Sequence, residues 1–207
     1  GFGEQRDLDN IRAARAELPP GSELMLDANQ AWDLATARRM ADRLRELSPV
    51  WLEEPLRADR PILEWQKLAD ATPIPLAAGE NLRGRDAFEA MVSSRALGVV
   101  QPDVAKWGGV SGCLPVIEYI HQAGLRFCPH FLGAGIGLLA SAHVLAARGR
   151  PGGMLEVDAN ENPLRTELSP ALGVVRDGAA RLGDRPGHLR CRPAPARRRS
   201  TRRPPRT

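Results

Sequence analysis

Cysteine is scarce in this 207-residue chain: Cys113, Cys128 and Cys191 are the three present, and no CxxC pair occurs. An odd, scattered set supports neither a disulfide framework nor a thiolate zinc site, and points to a reducing compartment, the cytoplasm. No apolar run approaches the roughly 20 residues a membrane helix needs. The opening residues do not read as a secretory signal. Acids are missing altogether from residues 188–207, which hold eight arginines. Subtracting those eight charges from the net +4 leaves −4 for residues 1–187. The body is therefore mildly acidic, and a nucleic-acid function would rest on the tail alone. An initiator Met is missing too: Gly1 leads straight into FGEQRDLDNIRAARAEL, a loop entering a helix, so an upstream segment is expected.

What is present suits a folded enzyme-sized unit. A hydrophobic fraction of 43% is enough for a core and excludes wholesale disorder. Short apolar runs end in polar residues at regular distances. ELMLD closes on Asp27, VWLE on Glu53, IPLAAGE on Glu80, LGVVQPD on Asp103, LRFCPH on His130 and GGMLE on Glu156, at intervals of 26, 27, 23, 27 and 26 residues. Helical patterns fill the gaps. In DLATARRMADRLREL, Leu34, Ala37, Met40 or Ala41, Leu44 and Leu47 share a face behind an Asp33 cap. From Ser111 to Gly124 the apolar face runs through Cys113, Leu114, Val116, Ile117 and Ile120. Pro115 there requires the first turn, and Gly124 supplies the stop.

Repeated strand–helix units of this length make a parallel sheet. The expected fold is α/β, a partial (β/α) TIM-type barrel with about six strands, in which the C-terminal ends of the strands build the active site. Two other architectures compete. LMLDAN and LEVDAN echo a leucine-rich repeat, but the four intervening units lack the motif. GAGIGLLA, through Gly135, Gly137 and Ala140 with Glu156 downstream, matches a dinucleotide fingerprint. Pro129, His130 and Phe131 separate it from its strand, and five strand units precede it.

Strand ends converge in a barrel, so the polar residues define a candidate site. Asp27, Glu53 and Glu80 are three carboxylates that should repel and raise one another's pKa. A divalent cation relieves that, and three oxygen ligands suit magnesium. Asp103 and His130 follow, the pairing of a general base. Glu156 faces the same mouth and, if protonated, can donate to a substrate carboxylate. Lys106 is a rim cation, in an ion pair or on the substrate.

LDANQAW, WLEEPL, AAGEN, QPDVAKWGG, PHFLGAGIG and LEVDAN, in this order and spacing, resemble the C-terminal barrel of the enolase superfamily. The nearest subgroup is that of mandelate racemase and muconate lactonizing enzyme, with its sugar-acid dehydratases. The resemblance covers about residues 1–187. It implies Mg2+ on Asp27, Glu53 and Glu80, an Asp103–His130 acid/base dyad, and Glu156 on the carboxylate of a small-molecule substrate, a sugar acid or α-hydroxy acid. The reaction implied is abstraction of the α proton through an enediolate, then dehydration or racemisation. A cycloisomerase or epimerase using Lys106 is the alternative within the superfamily, and a catalytically inactive barrel fragment is the non-enzyme alternative. The family's Lys-x-Lys strand and N-terminal capping domain are missing from this sequence, so slow turnover is expected of the chain alone. The expected organisation is a barrel portion over 1–170, a remnant of the family C-terminal segment over 171–187, and an Arg/Pro-rich tail over 188–207. The tail is expected to be disordered, without specific nucleic-acid function, and to derive from a frameshift. No membrane association is expected, and the full-length enzyme is expected to be a homo-oligomer.

Overall fold

A computed structural model describes residues 2–169 and 175–182. The expectations for 188–207, and for most of 171–187, lie outside these residues. Within 175–182, Arg176 and Ala179 close a tight antiparallel turn through Asp177 and Gly178, both at positive φ.

Helix α1 (Glu4–Glu17) precedes five strand–helix units: β1 Met25–Asp27 and α2 Leu34–Leu44, β2 Trp51–Glu53 and α3 Ile62–Ala69, β3 Leu76–Ala78 and α4 Arg85–Ser93, β4 Val99–Val100 and α5 Gly109–Gln122, β5 Arg126–Phe127 and α6 Gly135–Arg148. A short α7, Pro163–Leu168, follows. The strands pair in chain order, and every pair is parallel. This is the α/β partial barrel that the sequence period implied.

The sixth expected strand needs correcting: no ladder forms over residues 153–156. The segment does pass β5, since a β-carbon on Gly153 would lie 3.1 Å from the Phe127 carbonyl oxygen. The Gly153 N–H instead closes a turn onto Arg150 O at 2.9 Å, with Gly152 at φ 88, and this bends the backbone away from strand geometry.

Local rules account for the helix boundaries. Asp33 caps α2 by accepting the Thr36 N–H at 2.7 Å, and Ala37, Met40, Ala41 and Leu44 are its buried face. Leu47 lies beyond α2 in a 3-10 turn that stops at Ser48, in the left-handed region at φ 49. Helix α5 begins at Gly109, two residues before the expected Ser111, which puts Pro115 in the second turn instead of the first. The position tolerates proline because the carbonyl left without a partner is that of Ser111, an exposed residue. Gly124 at φ 74 ends the helix in a Schellman motif, with Leu125 N–H to Ile120 O and Gly124 N–H to His121 O.

The sheet separates two apolar regions. The larger packs the helices against one face, through Leu52, Trp65, Leu76, Phe88, Val100, Ile117 and Phe127 among others. The opposite face, the barrel's inner wall, carries Trp51, Ala77, Val99 and Cys128 with Met25 and Met154 against them. Among the described residues no helix is long and apolar enough to cross a membrane.

Candidate active site

The ladder register places the site residues unequally. Asp27 pairs with Glu53, Glu53 with Ala77, Ala77 with Val99 and Val99 with Arg126. Asp27 and Glu53 therefore end their strands, as expected. Glu80, Asp103 and His130 do not: they lie in the loops beyond Ala78, Val100 and Phe127. The stagger is that of tilted barrel strands, so a residue level with Glu53 comes earlier in each later strand. The loops then carry the later polar residues to the mouth.

Glycine makes one of these placements possible. Gly79 sits at φ 151, and a β-carbon there would lie 2.7 Å from the Gln101 backbone N and C atoms. The chain after β3 thus presses directly on the chain after β4. Glu54 turns the backbone after β2 at φ 38, an uncommon value for a non-glycine residue.

The histidine is held at both ring nitrogens. His130, buried, is 2.7 Å from Asp103 Oδ2 through Nδ1, and its Nε2 pairs with Glu80 Oε2. The backbone N–H groups of Ala105 and Lys106 fix the other Asp103 oxygen at 2.7 and 3.1 Å. Lys106 Nζ holds Glu80 Oε1 at 2.8 Å, the ion-pair alternative for this residue. Glu156 accepts the Phe131 N–H at 3.0 Å and stands 3.7 Å from His130 Nε2. On the other side, Asp27 takes the backbone and side-chain N–H of Asn29, both at 2.7 Å. Glu53 takes the Trp51 indole N–H at 3.1 Å.

Charge behaviour divides along the same line. Burial pushes the Asp27 and Glu53 carboxyls up, and neighbouring carboxylates add to it. Burial would raise Glu80 as well, but its hydrogen bonds to His130 and Lys106 outweigh it and bring the pKa down to about 2. The expectation that all three acids raise one another thus holds for two, and the paired cations reverse the third. Burial disfavours the His130 cation, yet the hydrogen bonds to Asp103 and Glu80 prevail and lift its pKa to about 10. Burial raises Glu156, opposed by His130 and the Phe131 N–H.

Three further polar side chains join the site. Glu54, 3% exposed, is pushed up to about 7, chiefly by burial. Asn81 donates to both Glu54 oxygens at 2.9 Å and to Glu80 at 3.0 Å. Gln101 is buried and lines a cavity with Glu53. Strand alternation sets Glu54 on the face opposite Glu53 and hides its role. The Asn81 signal was its position directly after Glu80.

Asp27, Glu53 and Glu80 are hard oxygen donors on adjacent units, and two of them carry charge that burial and neighbouring acids disfavour. That donor set fits a hard divalent cation such as magnesium. Among the described residues no three His, Cys, Asp or Glu side chains already converge as a cage. Each of the three acids is turned to a protein partner instead.

Fold and mouth together define a (β/α)-barrel domain with a polar mouth built around an Asp–His pair. The chain belongs to the enolase C-terminal domain-like family, which residues 1–188 match. A mandelate racemase/muconate lactonizing enzyme structure from Bordetella bronchiseptica RB50 is 58% identical with a TM-score of 0.82, covering 86% of this chain and 50% of that one. D-galactarolactone cycloisomerase of Agrobacterium fabrum is 29% identical over 194 residues, 90% of this chain and 51% of its own length. L-talarate dehydratase from Polaromonas sp. JS666, solved with Mg and L-glucarate, is 30% identical with a TM-score of 0.66, covering 75% of this chain and 41% of that one. The chain spans about half the length of the first curated relatives it matches. The first curated relatives it matches are named as a cycloisomerase and dehydratases.

Proposed function

We propose that the protein takes the proton α to the carboxylate of a small sugar acid or α-hydroxy acid, leading to dehydration or racemisation. The observation that carries this reading is the buried His130–Asp103 pair at 2.7 Å. With Nδ1 committed to Asp103, the tautomer and ring plane are set, and Nε2 is the atom that exchanges a proton with substrate. Glu80 holds Nε2 in this structure. Nε2 meets the α carbon when Glu80 turns toward Asp27 and Glu53, which also lowers the pKa of the imidazole toward that of a working base. Glu156, its side chain 44% exposed but its carboxyl partly desolvated and facing Glu80 and Asp27, keeps its proton more readily than an ordinary carboxyl and donates it to the substrate carboxylate. Lys106 stays with Glu80 at the rim.

Asp27, Glu53 and Glu80 would hold magnesium in this reading. Bound there, Mg2+ supplies Lewis-acid stabilisation of the negative charge that develops on the substrate carboxylate. The magnesium and L-glucarate in the Polaromonas dehydratase structure support both the metal and the substrate class. The barrel portion is assigned to 1–170, and the scattered cysteines support a cytoplasmic setting.

The test is incubation with magnesium and a panel of sugar acids and α-hydroxy acids in D2O, followed by NMR. Deuterium at the α carbon is expected from the parent chain and not from His130→Asn. Exchange undiminished in His130→Asn moves the base elsewhere, to Lys106 first.

A further inference from the structure

One inner-wall side chain has no part in that chemistry. Alternation along β4 and the residues after it gives Val99, Gln101 and Asp103 on the inner wall, with Trp51 one step below Glu53 and Cys128 one step below His130. The inner wall behind these polar residues, Trp51, Ala77, Val99 and Cys128, is apolar. Gln101 is only 4% exposed, it lines the same cavity as Glu53 with its amide close enough to hold the Glu53 carboxyl down against burial, and its Oε1 is buried with no hydrogen-bond partner. Rotating the amide would set Oε1 against the carboxylate. Leucine or methionine would suit the same level without an orphaned acceptor, so glutamine costs stability at this position. Trp51 gives the same carboxylate a second donor, at 3.1 Å on Oε2. Trp51, Gln101, Glu53 and Glu156 line a cavity of about 250 Å³. Gly79 packs on the Gln101 backbone from the β3 side, so the amide is carried by a fixed stretch of chain.

We infer that Gln101, assisted by Trp51, is a positioning residue that orients the Glu53 carboxylate for a divalent cation; this rests on the reading above that Glu53 is a metal ligand. Outer groups that hydrogen-bond a ligand fix its geometry, and losing one typically weakens metal binding about 10–100-fold. An unsatisfied acceptor retained beside one particular carboxylate is what such a role leaves behind.

The test titrates Mg2+ into the 207-residue chain by calorimetry, with Mn2+ electron paramagnetic resonance and a metal-free melt on the same samples. Gln101→Met is expected to melt at or above the parent, to bind Mg2+ about tenfold more weakly, and to change the Mn2+ spectrum. Trp51→Phe, which keeps the ring and loses the N–H, is expected to move affinity the same way by less. It decides the matter should Gln101→Met fail to fold. Glu53→Gln is the separate control: if it binds Mg2+ as the parent does, the metal reading itself fails. If Glu53→Gln loses binding while Gln101→Met and Trp51→Phe keep parental affinity and spectrum, the positioning role is overturned. A lower melt for Gln101→Met with unchanged affinity assigns Gln101 to packing and overturns it equally.

Discussion

The two sides of the barrel mouth solve opposite electrostatic problems. The β1–β2 side gathers Asp27, Glu53 and Glu54, whose carboxyls burial and mutual repulsion push upward, Glu54 to about 7. The β4–β5 side, with Glu80 drawn to it, pairs each acid with a cation. Glu80 falls to about 2, Asp103 is lowered once His130 and two backbone N–H groups outweigh burial, and His130 rises to about 10. One side is charge in want of a partner, and the other is charge already satisfied. Glu80 belongs to both through Asn81, which bridges it to Glu54. A site poised between these states has its most consequential choice at Glu80.

The largest effect that tests the contrast is on the satisfied side. His130→Asn removes the proton-transferring group and should cut α-proton exchange by about 10²–10⁴-fold, the usual contribution of a positioned acid or base. Its affinity for magnesium should stay near the parent's. Glu80→Gln should follow. Without that carboxylate the His130 pKa, about 10 in the parent, should drop by roughly 1–3 pH units, the effect of one adjacent opposite charge. Titration of the imidazole by NMR reads this directly, and an unmoved value would show that Asp103 alone sets it.

Stability should change with opposite signs on the two sides. Glu54→Gln removes a buried, repelled carboxyl and should raise the melting temperature above pH 7, whereas Glu80→Gln should lower it. A raised carboxyl such as Glu54 contributes stability below its unfolded value of 4.5, lost as pH climbs through about 7. Glu80, depressed, contributes above 4.5 and loses this as pH falls through about 2. His130, raised, contributes below 6.5 and loses it as pH rises through about 10. Melts of the metal-free chain should therefore decline from pH 6.5 to 10, and His130→Asn should flatten that decline. Matching signs for Glu54→Gln and Glu80→Gln would erase the contrast.

Two smaller effects probe the frame. Gly79→Ala forces a β-carbon against the Gln101 backbone at 2.7 Å and should destabilise by about 1–3 kcal/mol, as overpacking does, reducing metal and proton chemistry together. Asp33→Ala should lower the melting temperature slightly through the lost helix cap and leave His130's titration unchanged.

The repeat of apolar run, polar residue and amphipathic helix was enough to give the parallel order, because burial of one helix face and of whole strands leaves its period in the sequence. Asp33 and Gly124 were equally readable, since capping acts over a few residues. The sixth strand was not: GGMLE has strand composition, but whether it pairs depends on the turn at Gly152 and Gly153. The start of α5 also escaped, because a proline in the second turn is tolerable only where the orphaned carbonyl meets solvent, and exposure is a tertiary fact. The six polar endings and the Asp103–His130 pairing were legible from spacing, as all barrel strands point one way. Their charge states were not. Whether Glu80 is raised by its fellow acids or lowered by His130 and Lys106 depends on distances of a few ångströms across units more than 20 residues apart in sequence. Sequence alone thus pointed to the polar residues that follow each strand, through the period of strand and helix, and passed over Glu54, Asn81 and Gln101. The tertiary structure decided which carboxylates are left wanting a cation, because Coulomb and desolvation energies vary steeply over distances that sequence spacing does not encode.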